Sequence, residues 1–396
     1  QRGAGYFSTP RVSPKGDAVA FVRHNVKGDD RGVVALADLS GNVKVLTPDL
    51  PSVTGVAWSP DGSEVWLSAW MPLDGYTIEA VTPGGRRRVL YRSTERTRLF
   101  DVRGDTLLVG TDRWQAGVSG LLRGQDREQD LSFLDGTCAT DLSASGDEML
   151  FSEGSIGGGP GYSFFLRDAS GTFPVRLGTG WGSDLSSDGK WTLSYPVDPP
   201  MKLTITPTGT GTPQSINLKG FEAIGGANWF PDGKRVLFWG SEKGTSFRGY
   251  VMDLPDGKPR AITPPGVTPT LFTAASYAPS PDGRLVVVNG ADGKLTLYPV
   301  DGGEPRTVPG TIEEGEMTVA WTGDGKGLLV REEGVPSKVY RVDVETGRRS
   351  LWKELRPADP SGVVEILGVV VTPDLEHYAY TYMRVLTDLY TITGVK

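Results

Sequence analysis

The chain has 396 residues, long enough for two or three ordinary domains or one large repeat domain. A net charge of −7 argues against a nucleic-acid binder, which carries a basic face. Gly (54) and Pro (29) are abundant yet sit in no low-complexity tract, so they serve many turns, as in an all-β protein of short strands.

A small polar cluster punctuates the chain from end to end. It opens as Ser13-Pro14-Lys15-Gly16 and returns as Ser59-Pro60-Asp61-Gly62. A weaker copy follows at Arg103-Gly104-Asp105, then Ser143-Ala144-Ser145-Gly146, Ser186-Ser187-Asp188-Gly189 and Phe230-Pro231-Asp232-Gly233. Ser280-Pro281-Asp282-Gly283, Thr322-Gly323-Asp324-Gly325 and Thr372-Pro373-Asp374-Leu375 complete the nine copies. Their spacing of roughly 40 to 50 residues is that of propeller blades.

Around each cluster the same runs recur. An apolar run such as "GVAW" precedes it, and an alternating run such as "EVWLSAW" or "HYAYTYM" follows. Then come a third run ("YTIEAV", "KVYRVDV"), a Gly-containing turn and a fourth run ("RRRVL", "PRAIT"). These runs are short, β-branched or aromatic, and period-2, so they read as strands. Each unit is therefore a four-stranded antiparallel sheet, which buries both faces by packing radially against its neighbours.

The expected fold is an all-β propeller of nine four-stranded blades, with eight as the second choice. It forms a single domain over 1–396, with blades at 5–50, 51–93, 94–135, 136–178, 179–219, 220–267, 268–309, 310–360 and 361–396. The last blade offers only three runs. Either it has three strands, or the natural chain continues before Gln1. With no starting Met and no signal peptide, Gln1 reads as the start of a processed chain or an excised fragment.

The cluster itself reads as a turn. Ser suits the first position, Pro presets φ at the second, Asp caps nearby amides, and Gly tolerates the exit. Pro60, Asp61, Gly62, Asp188, Asp232, Asp282 and Asp324 are thus expected to be structural.

Recognisable chemistry is sparse. The two histidines, His24 and His377, lie far apart in sequence, and no zinc-spacing motif, nucleophile elbow or phosphate loop is present. Cys138 is the only cysteine, so no intrachain disulfide is possible. No run approaches the ~20 apolar residues that cross a bilayer. The loop "HNVKGDDRG" gathers His24, Asp29, Asp30 and Arg31 and is the best candidate for holding a cation or an anionic group, with Asp29 and Asp30 as weak metal ligands. Trp114, Tyr162 and Trp181 are candidate binding aromatics. Trp58, Trp229 and Trp321 stand just before the turn and read as packing between blades. The basic run Arg86-Arg87-Arg88 reads as a solvated strand edge.

The units "VAWSPDGSEVW", "DLSASGDEMLFSE", "GGGPGYSFFLRDASGTFPVRLGTG", "DLSSDGKW", "FPDGKRVLF" and "YAYTYMRVLTDLYTITGVK" resemble the large TolB-like (WD40-like) β-propellers of soil bacteria. Many of those are fused behind a transmembrane serine/threonine protein kinase. The resemblance implies a periplasmic or extracellular sensing or scaffold domain that binds a protein or small ligand at a loop face or in the channel. This chain lacks every kinase motif, so no kinase activity carries over.

A non-catalytic, cofactor-free, monomeric binding propeller is therefore expected. The alternatives are a metal-dependent lyase or hydrolase with its site in the central channel, and the gating propeller of a prolyl-oligopeptidase-type peptidase.

Overall fold

The structure is a computed structural model. It describes residues 6–24, 30–72, 74–159, 161–171, 173–266, 277–289, 294–310 and 316–395. Apart from one 3-10 turn at Ile156–Gly158, every regular element described is a strand. No described helix is long and apolar enough to cross a membrane.

The turn explains why the strands pair as they do. The Ser59 hydroxyl donates to Asp61 Oδ1 at 2.7 Å and accepts the Glu64 amide at 2.9 Å, while Asp61 also accepts the Ser63 amide at 3.0 Å. Gly62 completes the corner with φ +72°, where a side chain would be strained. Ser186–Asp188 and Ser280–Asp282 repeat the side-chain bond at 2.7 and 2.6 Å. Phe230 has no hydroxyl; Asp232 keeps the Lys234 amide (2.8 Å) and takes Arg235 Nε (2.7 Å) in place of the missing side-chain donor.

Each turn joins a first strand to an antiparallel second. Ser52–Trp58, Val65–Met71, Gly75–Val81 and Arg87–Ser93 form one such four-stranded sheet. Arg87 and Arg88 are not free cations, because they pair with Glu79 and Glu64.

The chain divides into two compact units, Gln1–Trp114 with Val385–Lys396, and Gln115–Arg384. The smaller unit holds the sheets that begin at Tyr6–Val12 and at Ser52–Trp58. Its third sheet is made of Thr97–Arg103, the first part of Thr106–Leu121 and the last part of Tyr378–Thr393.

In the larger unit the first strands are Thr137–Leu142, Trp181–Leu185, Phe221–Trp229, Met317–Trp321 and Val363–Val371, together with a segment bridged at Pro279 to Val286. Thr137–Leu142 packs on Trp181–Leu185, Trp181–Leu185 on Phe221–Trp229 and Met317–Trp321 on Val363–Val371, which returns to pack on Thr137–Leu142. Buried hydroxyls stitch one blade to the next: Ser152 accepts the Gly182 amide at 2.9 Å, Ser183 the Ala227 amide at 3.0 Å and Thr381 the Ala139 amide at 3.0 Å.

Two expectations need correcting. The expected third and ninth blades, 94–135 and 361–396, do not form separate sheets, because Thr106–Leu121 and Tyr378–Thr393 are neighbours in one sheet. Nor is the last blade short of strands. In the larger unit its order is Val363–Val371, Tyr378–Thr393, Thr106–Leu121, Gln129–Asp130. The physical reason is length: each of the two middle strands has 16 residues, about twice a blade's depth, so each has a second half free to pair. Glu128 fastens this closure, accepting the Tyr378 hydroxyl (3.0 Å), the Ser119 hydroxyl (2.8 Å) and the Tyr380 hydroxyl.

Candidate functional site

In the larger unit the first strands end at a common cavity of ≈ 320 Å³. Asp141, Asp184, Asn228, Ala278 and Ala320 stand in the same repeat position, two residues before the turn, and all line the cavity. The second turn position lines it too, through Ser187, Pro231, Pro281, Gly323 and Pro373. The turn prolines expected to serve only as punctuation thus also form the apolar rim of a pocket.

Three consecutive blades break the small-residue pattern with Asp141, Asp184 and Asn228. The Asp141 and Asp184 carboxyls hydrogen-bond to each other, and the Asn228 amide bonds to Asp184. Each carboxyl also accepts an amide of the following blade: Leu185 N to Asp141 Oδ2 at 2.8 Å, and Trp229 N to Asp184 Oδ2 at 2.6 Å.

Burial pushes Asp141 up to about 6. Burial, then the charge of Asp141, raises Asp184 well above the ordinary carboxylate range. Two adjacent buried carboxyls cannot both ionise cheaply, so they share a proton at neutral pH, with Asp184 donating to Asp141.

The neighbouring polar atoms are left unsatisfied. Asn228 is 1% exposed, and its Oδ1 has no partner among the described residues. Trp58 Nε1 donates to Arg11 O at 3.0 Å and Trp321 Nε1 to Ala278 O at 3.1 Å, each reaching the equivalent position of the preceding blade. Trp229 stands in the same place, yet its buried Nε1 finds no partner among the described residues. Seven other described side-chain atoms, Trp239 Nε1 and His377 Nδ1 among them, are left in the same way, and these two are set apart because their residues line one cavity with the carboxyl pair.

The residues expected to bind lie elsewhere. In the smaller unit His24 is 2% exposed and stacks on Tyr6 at 4.2 Å, with Nε2 on Ser8 Oγ (2.7 Å) and Nδ1 on Arg31 O (3.1 Å). Its ring nitrogens are therefore occupied. Asp30 is bound by Arg96, whose guanidinium lies 5.4 Å from the half-exposed Trp114 ring. Asp29 lies outside the described residues. Arg31 is exposed and contributes its carbonyl to His24.

In the larger unit Tyr162 meets Trp181 edge-on at 5.9 Å, but Trp181 is core, 5% exposed beside Ala116 and Cys138. Burial pushes the Cys138 thiol up to about 12, leaving it unreactive. His377 caps the Thr372 turn through its backbone. Among the described residues no three His, Cys, Asp or Glu side chains are grouped to hold a metal.

Radially packed four-stranded sheets, first strands converging on one cavity and closure by a distant strand together define the architecture. The fold is a β-propeller. The chain is similar to a putative TolB from Agrobacterium tumefaciens, with 16% identity and a TM-score of 0.49 over 69% of this chain and 99% of that one. It is similar to TolB from Acinetobacter baumannii, with 17% identity and a TM-score of 0.35 over 74% and 65%. It is also similar to an oligogalacturonate lyase from Vibrio parahaemolyticus, with 14% identity and a TM-score of 0.44 over 70% and 78%. No known family profile and no curated protein matches the chain.

Proposed function

We propose that this β-propeller is a non-catalytic sensor or scaffold domain, the extracytoplasmic part of a signalling protein, that binds a ligand or a partner's side chain at the cavity of its larger unit. The observation that carries this reading is the pairing of a proton-sharing carboxyl pair with two orphaned buried polar atoms at one cavity. Asp141 and Asn228 Oδ1 offer acceptors and Trp229 Nε1 offers a donor. The proline rim with Phe230 and Trp321 offers apolar contact. That combination suits a group carrying N–H donors on an apolar body, such as an amine or guanidine. The kinase association and the periplasmic or extracellular location belong to the same proposal.

The test is a thermal-shift series on the whole chain with arginine, agmatine and phenethylamine as probes. Stabilisation that disappears in Asn228→Ala and Asp141→Asn supports binding at the cavity. No stabilisation by any probe, or stabilisation that both variants retain, contradicts it. A second reading, general acid–base chemistry in the channel, is favoured by the shared proton alone. Consumption of a substrate that stops in Asp141→Asn would establish it in place of the first.

A further inference from the structure

The smaller unit contains a second recognition feature, built from backbone. Its first two sheets have four strands each, whereas its third has three: Thr97–Arg103, the first part of Thr106–Leu121 and residues 385–393 of the last strand. Thr97–Arg103 pairs with Thr106–Thr111 in antiparallel register. The last strand pairs with Val363–Val371 only as far as Arg384. From 385 to 393 its outer edge has no strand partner among the described residues.

That edge has few of the features that protect native edges. The segment VLTDLYTIT contains no proline, lysine or arginine, and Asp388 is its only charge. Its Val, Thr, Tyr and Ile residues favour strands. Leu386 (38%), Leu389 (64%) and Tyr390 (47%) are exposed.

Beside it lies an open cleft of ≈ 400 Å³, lined by Tyr91, Glu95, Thr97, Thr111, Tyr390 and Ile392 among others. Glu95 is the only charged residue in the lining, and neither it nor Asp388 has an ion-pair partner among the described residues. The neighbouring Arg92 is already engaged by Asp74 at 2.9 Å.

We propose that this edge and cleft receive an extended, basic segment of a protein partner as the fourth strand of the sheet. The unpaired N–H and C=O groups select a strand, because only an extended backbone presents donors and acceptors at the same repeat. The cleft takes alternate apolar side chains, and Glu95 and Asp388 select lysine or arginine over acidic residues. This feature is independent of the larger unit's cavity.

The experiment uses fluorescein-labelled peptides of about ten residues, long enough for one strand. The first alternates Thr and Val with two Lys, the second replaces Lys by Glu, and the third is the Lys peptide N-methylated at every second amide. Fluorescence anisotropy on the whole chain is expected to show saturable binding of the Lys peptide and no binding of the N-methylated form. The Glu peptide should bind at least about tenfold more weakly, as expected on losing a charge-assisted contact. Glu95→Gln should narrow that ratio, and Tyr390→Lys should abolish binding while leaving the thermal melt unchanged. Asp184→Asn should leave binding intact.

Equal affinity for the N-methylated peptide, or no saturable binding, would overturn the proposal. So would a dimer in sedimentation that Tyr390→Lys dissociates and the Lys peptide does not, since the edge would then serve a second copy of the chain.

Discussion

Two arcs of the larger unit occupy the same repeat position and behave differently. Where the residue two before the turn is Ala320, with its sheet following Ala278, the turn tryptophan Trp321 reaches back and satisfies its Nε1 on the Ala278 carbonyl. Where that residue is Asp184 followed by Asn228, carboxyls capture the next blade's amides, and Trp229 Nε1 and Asn228 Oδ1 are stranded. The apolar arc is a solved packing problem. The polar arc bears a standing cost of desolvation that packing alone does not require.

The largest expected effect comes from removing the carboxyl altogether. Asp184→Ala leaves the Trp229 amide and Asp141 without their partner and should cost about 2–4 kcal/mol in chemical denaturation. Ala320→Ser, at the equivalent position of the apolar arc, should stay within about 0.5 kcal/mol. Similar losses at both sites would erase the distinction.

Next comes pH. Both carboxyls hold their protons more tightly folded than unfolded, so their stabilising contribution is full below about pH 4, the ordinary range for an unfolded Asp. It is lost as the pH rises through about 6 for Asp141 and through the raised range of Asp184. Asp184→Asn keeps an acceptor for the Trp229 amide and a donor for Asp141 while removing the second acid. Its melting temperature should exceed that of the wild type at pH 8, and the gap should close at pH 4. A pH-independent difference would count against the shared proton.

A smaller contrast separates the tryptophans. Trp321→Phe strands the Ala278 carbonyl and should cost about 1 kcal/mol beyond the loss of volume. Trp229→Phe removes an orphan donor and should cost less, while weakening any cavity ligand. The smallest effect concerns the turn glycines. A Cβ on Gly16 meets nothing within 4 Å, whereas one on Gly146 would come within 2.4 Å of His377 Cδ2. Both pay for a positive φ, so Gly146→Ala should exceed Gly16→Ala by about 1 kcal/mol in the same assay.

Much of this was legible in the chain. Turn chemistry and period-2 runs are local, and they located the strands and the corners. The closure was not legible, because the pairing of Thr106–Leu121 with Tyr378–Thr393 joins segments far apart in sequence. The weak turn at Arg103-Gly104-Asp105 was nevertheless a signal that the third blade departs from the rule.

The site had a signal that a search for catalytic motifs passes over. Aligned on the turn, Ala57, Ala278 and Ala320 are replaced by Asp141, Asp184 and Asn228. His24 illustrates the reverse. A lone histidine in a polar loop invites a functional role, and only three dimensions show its ring held between Ser8, Arg31 and Tyr6.

The most direct test of the central claim is a carbon-13 carboxyl titration of the aspartate-labelled chain, with Asp141 and Asp184 assigned by their Asn variants. Two coupled transitions above the ordinary carboxylate range are expected, one of them near pH 6, and in Asp184→Asn a single one that burial of Asp141 keeps raised. Two independent carboxyls titrating near pH 4, unchanged by that substitution, would contradict it.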